Sequence, residues 1–195
     1  MAGRPREFDE QDALRSAIEL FWSRGYEACS ISMLMEQMGL NRQSAYNVFG
    51  DKRALFIQAL AKYAANVEQE VGALLSRGDV SPWTCVRNFM EAIVKRTTTG
   101  KHIGCMMTNT IVELGPHDPE VRKLISGVLG RLENRLAELL LAAMEQREIP
   151  GGRDPRKRAR FLLSVMQGAL VLCKARMDDA IVDAVEMAQK AVKGS

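Results

Sequence analysis

The chain has 195 residues, 47% hydrophobic and 26% charged, with a formal net charge of +3, a globular composition that excludes disordered, fibrous and disulfide-scaffold proteins. Its longest mostly apolar stretch, Phe161 to Cys173, is interrupted by Ser164, Gln167 and Gly168 and is too short to span a bilayer. Residues 1–30 carry no signal peptide, and the four cysteines (Cys29, Cys85, Cys105, Cys173) lack CxxC pairing, so reduced thiols and a cytoplasmic location are expected.

The elements read as helices in succession. Leu14, Ala17, Ile18 and Phe21 recur at i, i+3, i+4 and i+7, with Asp9 as N-cap and Gly25 as the stop. A short helix follows from Ser30 through Ile31, Leu34 and Met38 to Gly39. Another begins at Asn41 and ends near Phe49-Gly50, its inward set being Ala45, Val48 and Phe49. Asp51 then caps a long helix running through Leu55, Phe56, Ala59, Leu60 and Tyr63 towards Leu75. Ser81-Pro82, Asp118-Pro119 and Asp154-Pro155 each place a capping side chain before a proline, predicting helices over about 81–99, 119–148 and 155–177. Shorter helices are expected over about 104–114 and 179–192. No useful β-alternation and no internal repeat is present. The predicted fold is all-α, with about nine helices: a three-helix unit over 1–50 and a larger helical domain over 51–195.

Two short helices joined through Gly39-Leu40-Asn41 have the signature of a helix-turn-helix, glycine accepting the positive φ of the turn and Asn41 capping the second helix. Arg42, Gln43, Ser44, Tyr46 and Asn47 are left for an outer surface, and arginine, glutamine and serine are residue types that read base edges in the major groove. A solvated polar face is the alternative. Residues 1–57 carry seven Lys/Arg against eight Asp/Glu, which works against phosphate binding unless the two signs occupy different faces. The acids fall largely on the first helix and its flanks.

The stretches GRPREF, SAIELFWSRGYEA and MGLNRQSAYNVFGDKRALF resemble the N-terminal domain of the TetR family of bacterial repressors. The resemblance is most specific from Gly39 to Phe56; Ala45 stands where leucine is commoner, and Met35 where a small residue is usual. Gly104 to Asn109, Glu113-Leu114 and His117 to Arg122 are similar to a subset of the same family. The resemblance implies a repressor that binds double-stranded DNA at an inverted-repeat operator. Arg42, Gln43 and Asn47 would face bases, while Ser32, Ser44, Tyr46 and Lys52 would hold phosphates, Lys52 together with the amides of its helix N-terminus. Arg4 and Arg6 resemble arms reaching a minor groove or the backbone, with an unstructured tail as the alternative.

It further implies that the later helices form a small-molecule effector pocket and that the last two pair across a two-fold axis in a homodimer. For the pocket, Trp83, Cys85, Phe89, Met90 and Ile93 supply soft apolar walls, and Cys105, Met106, Met107, Asn109 and Thr110 continue them with a few polar groups. Each could equally be core. Pairing has independent support, because residues 161–173 are apolar around most of the helix, with a central core helix inside a monomer as the alternative. Phe161, Ser164, Val165, Gly168 and Leu172, with Ile181 and Val185 of the last helix, are the expected interface, Ser164 and Gly168 allowing close approach.

Cys105 sits at an expected helix start, where helix dipoles lower a thiol pKa, so it is a candidate sensor of oxidants or electrophiles; a buried core thiol is the alternative. His102, Cys105 and His117 lack close ligand spacing, so neither metal nor cofactor is expected. Arg156, Lys157, Arg158 and Arg160 read as a solvated basic face. No GxSxG, phosphate loop or paired carboxylates appear, which argues against an enzyme. A helical scaffolding protein remains as the rival class.

Overall fold

The structure is a computed structural model that describes residues 9–100 and 102–194. Among the described residues it is helical without strands: α1 (Glu10–Arg24), α2 (Ile31–Met38), α3 (Arg42–Phe49), α4 (Lys52–Leu75), α5 (Pro82–Thr99), α6 (Met106–Glu113), α7 (Pro119–Glu145), α8 (Pro155–Leu172) and α9 (Asp178–Lys193), with a 3-10 turn at Cys173–Ala175. By packing, the chain divides into two compact units, 1–63 and 64–195. The division falls inside α4 and not at Gly50-Asp51, because the first turns of that helix pack with α1–α3. Leu55, Phe56, Ala59 and Leu60 are all buried.

An aromatic cluster organises the first unit. Phe21 meets Phe56 edge-on at 5.0 Å between ring centroids, and Tyr26 stacks on Phe21 at 6.3 Å and lies tilted against Phe56 at 4.7 Å. Ala13 and Ala17 of α1, Leu34 and Met38 of α2, and Ala45 and Phe49 of α3 complete its core. Val48 departs from its expected inward place, since it is 37% exposed. Only two positions of this two-turn helix can face inward, and Ala45 and Phe49, four residues apart, take them.

In the second unit, α5 packs on α7, α8 and α9, α7 packs along α8, and α6 is wedged between α7 and α8. Ser81, Asp118 and Asp154 accept from the amides of Thr84, Val121 and Arg156, each ahead of a proline at the helix start. Three ends differ from expectation. Left-handed Gly104 (φ 72°) delays α6 to Met106, Arg147 (φ 59°) follows the end of α7 at Glu145, and Arg176 (φ 55°) turns the chain between α8 and α9. Such backbone values cannot continue a right-handed helix.

Candidate nucleic-acid interface and ligand cavity

Local hydrogen bonds build the helix-turn-helix. The Ser30 side chain accepts from the Met33 amide at 3.2 Å, and Gly39, left-handed at φ 66°, ends α2. Asn41 is extended, and its side chain accepts from the Ser44 amide at 2.8 Å to start α3. Asn41→Ala should therefore lower stability by about 0.5–2 kcal/mol. A urea midpoint unchanged from the parent would show that the cap contributes nothing.

With Ala45 and Phe49 holding α3, Arg42, Gln43, Tyr46 and Asn47 are exposed and Ser44 is half-buried. Gln43 Nε2 donates to Asn47 Oδ1 at 3.0 Å, which orients both amides one turn apart. Exposed Val48 joins this surface as an apolar group among the polar ones, a placement its hydrophobicity conceals in the sequence. Ser32 is exposed in the first turn of α2. Lys52 Nζ lies 4.2 Å from the centroid of the Tyr26 ring, whose face holds the ammonium at the start of α4. The Asp51 carboxylate accepts from the Ala54 amide at 2.8 Å and so caps the start of the helix beside Lys52, as its place in the sequence predicts. Arg4 and Arg6 lie outside the described residues.

The second unit contains a partly open cavity of about 160 Å³. Of the expected lining residues, Ile93, Cys105 and Met107 reach it. Trp83, Cys85, Phe89, Met90, Met106 and Thr110 are buried elsewhere in the core. Asn109 is tied into loop structure, its Nδ2 donating to Ile103 O at 2.9 Å and its Oδ1 accepting from Lys174 Nζ at 3.2 Å. The walls come instead from α4 (Val67, Val71), α7 (Ile125, Val128, Leu132) and α8 (Met166, Leu170). Hydrophobic periodicity does not separate these from filled core, because a side chain facing a void and one facing a neighbour carry the same pattern. Two polar side chains, buried Thr108 and half-buried Gln167, also line it, the Thr108 hydroxyl donating to Gln167 Oε1 at 2.7 Å.

Cys105 is the N-cap of α6 and makes no side-chain capping bond. His102 faces Asp178 at 3.9 Å, His117 is exposed, and no group of three or more His, Cys, Asp or Glu residues among those described could hold a metal. The basic run divides. Arg156 and Arg160 each reach Glu133 at 3.0 Å, whereas Arg158 is buried at 7% exposure and is not on a solvated face. Burial, with a smaller contribution from the Arg153 charge, pushes the Arg158 guanidinium below the usual arginine range.

On α8, Phe161, Ser164 and Gly168 are exposed while Val165 and Leu172 are half-buried. Ile181 and Val185 do not join them. Both are buried within the protomer, where α9 packs on α5 and α8. The large exposed apolar residues on α8 and α9 are Phe161, Val171, Val182 and Met187, with exposed Met177 in the turn between them.

Residues 13–59 match the family described as bacterial regulatory proteins, tetR family, and residues 82–189 match the tetracyclin repressor-like C-terminal domain. The chain is 31% identical over 190 residues to the uncharacterized HTH-type transcriptional regulator YezE of Bacillus subtilis (strain 168), covering 95% of this chain and 96% of that protein. It is 30% identical to the HTH-type transcriptional repressor ComR of Escherichia coli (strain K12), over 85% of this chain and 80% of that one. Among solved structures, a cysteine-substituted form of the TetR family regulator CifR, complexed with 26-bp double-strand operator DNA, superposes with a TM-score of 0.83 at 29% identity, covering 96% of this chain and 99% of that one.

Proposed function

The chain belongs to the tetR family of bacterial regulatory proteins and is a DNA-binding transcriptional regulator, and we propose that it acts as a homodimeric repressor released from its operator by a small molecule. The observation that carries this reading is the outer face of α3. Arg42, Gln43, Tyr46 and Asn47 project from a capped helix that Ala45 and Phe49 anchor. Ser32, Ser44 and Lys52 flank it as phosphate contacts, and the operator is a double-stranded inverted repeat, one half-site per subunit. The dimer forms through α8 and α9, by way of Phe161, Ser164, Gly168 and Val171 with Val182 and Met187. The protein works in the cytoplasm as a binding protein, not as an enzyme; its four cysteines are free, and no described helix is long and apolar enough to cross a membrane. A gel shift with DNA from upstream of its own gene tests the reading. Retardation that survives excess non-specific DNA is expected, and no retardation at micromolar protein would refute it.

The cavity is the effector site in this reading. Helix α4 carries Lys52 at its first residue and Val67, Val71 and Leu75 in the cavity wall, so a ligand that favours one placement of α4 changes how Lys52 is presented. Such coupling amounts to about 1–3 kcal/mol, or roughly 5- to 150-fold in operator affinity. Core and cavity residues should respond differently. Met90→Ala, which opens a void in filled core, should cost more than Met107→Ala, whose side chain already borders a void, both within about 2–5 kcal/mol. Urea denaturation of both variants checks this, and equal losses would remove the distinction.

A second reading is favoured by the place of Cys105 in the cavity wall. An electrophile seated there would take the sulfur at its electrophilic carbon; in conjugate addition the S–C bond forms at the β-carbon and the thiol proton ends on the α-carbon. With N-ethylmaleimide as probe, operator release by the parent but not by Cys105→Ser is expected. Equal release by both would eliminate it.

A further inference from the structure

Among the described residues, one neutral hydrogen-bonding group on the cavity wall has no protein partner. Thr108 and Gln167 come from different helices, α6 and α8, and meet at 2.7 Å with the threonine hydroxyl donating to Gln167 Oε1. That bond holds the carboxamide in one orientation. Its other end, Nε2, donates to no partner among the described residues. The charged residues of the lining are already committed: Arg131 Nε to Glu68 at 2.5 Å, Arg96 to Glu70 at 3.6 Å, and Arg135 to Glu138 at 3.2 Å and to Leu75 O at 3.1 Å. Arg131 is 62% exposed at the cavity rim. Inside, the walls are valine, leucine, isoleucine and methionine. Such a wall disfavours a charged ligand body and gains from an apolar one.

On the reading of this cavity as the effector site, we propose that it takes a small uncharged molecule with an apolar body and one hydrogen-bond acceptor oxygen, which the Gln167 carboxamide recognises by donating from Nε2. Thr108 is the positioning residue, since its hydroxyl occupies Oε1 and turns the donor end towards the ligand. The size follows from the volume. An apolar cavity near 150 Å³ holds benzene, so about 160 Å³ suits a ring or short branched chain bearing a small head group. A carbonyl head satisfies the idle donor, whereas a hydrocarbon leaves it unpaired and an alcohol satisfies it through a weaker acceptor.

Three molecules of one shape test this: ethylbenzene, acetophenone and 1-phenylethanol, titrated calorimetrically into the full-length protein. Acetophenone should bind about five- to tenfold tighter than ethylbenzene, the effect of one neutral hydrogen bond in a desolvated site. 1-Phenylethanol should fall between them. Gln167→Leu should bring acetophenone down to the level of ethylbenzene while ethylbenzene still binds, which shows that the variant is folded and its cavity intact. Thr108→Val should shrink the preference for the ketone without weakening ethylbenzene, a result that a merely structural threonine would not produce. Equal affinity of the parent for ketone and hydrocarbon, tighter binding of the alcohol than of the ketone, or a ketone preference that survives Gln167→Leu would each overturn the inference while leaving the cavity a ligand site. Binding of none of the three would remove the effector-site reading itself, and this inference with it.

Discussion

Gly168→Arg should convert the protein to a monomer that keeps its helices and loses its operator. The exposed residues Phe161, Ser164, Gly168 and Val171 recur along α8 at steps of four and three, the spacing of a seam where two helices pack along their length. Within the protomer nothing lies within 4 Å of where a Cβ at Gly168 would stand, so a larger side chain is not excluded by its own chain. Across a two-fold axis the same position would carry an arginine and its symmetry mate into a close crossing. Burying such a charge without a partner costs several kcal/mol. Loss of pairing should weaken operator binding by about 10²–10⁴-fold, because the two half-sites are then no longer engaged as a linked pair. Sedimentation velocity at micromolar concentration should give half the parent mass, and the thermal melt should remain cooperative. A variant that still sediments as a dimer would mean that the α8 seam is not the interface.

Arg42→Ala and Lys52→Ala should both weaken operator binding, but in different ways. Arg42 stands exposed at the start of α3, where a guanidinium can reach the acceptor pair of a guanine. Its loss should cost about 1–3 kcal/mol per half-site and relax preference mainly at one base pair. Lys52 is held by the Tyr26 ring beside the start of α4 and is assigned to phosphate. Its loss should weaken all sequences nearly equally and reduce the slope of log affinity against log salt by about 0.9 per half-site. Tyr46→Phe should resemble a mild form of the lysine change. Titrating each variant against single-base operator variants at two salt concentrations separates these patterns. A uniform loss across all operators for Arg42→Ala would show that α3 does not read the groove through this residue.

Elements governed by near neighbours are legible in the order of residues alone. The caps at Asp9, Ser30, Asn41, Ser81, Asp118 and Asp154 each accept from an amide two or three residues ahead, and the helix starts follow from them. The outer set of α3 is equally accessible, because a helix this short, once Ala45 and Phe49 are inside, leaves few other directions for Arg42, Gln43, Tyr46 and Asn47. Val48 is the exception on that helix, an apolar side chain that periodicity assigns to the core and packing leaves outside.

The helical class, the helix-turn-helix and the residues it displays are therefore written into the chain locally, since each depends on hydrogen bonds and periodicity within a few residues. Which apolar side chains line a void, which fill the core and which remain exposed depends instead on packing between distant helices. Phe89 and Ile93 lie one turn apart on α5, yet only Ile93 reaches the cavity. Ile181 and Val182 are adjacent on α9, yet the first is sealed inside the protomer and the second is 43% exposed. The bond between Thr108 and Gln167 joins residues far apart in the chain whose spacing carries no signal. Such contacts arise because each helix must bury a stripe against several partners at once. The leftover space and the leftover face are properties of that joint solution and not of any one helix.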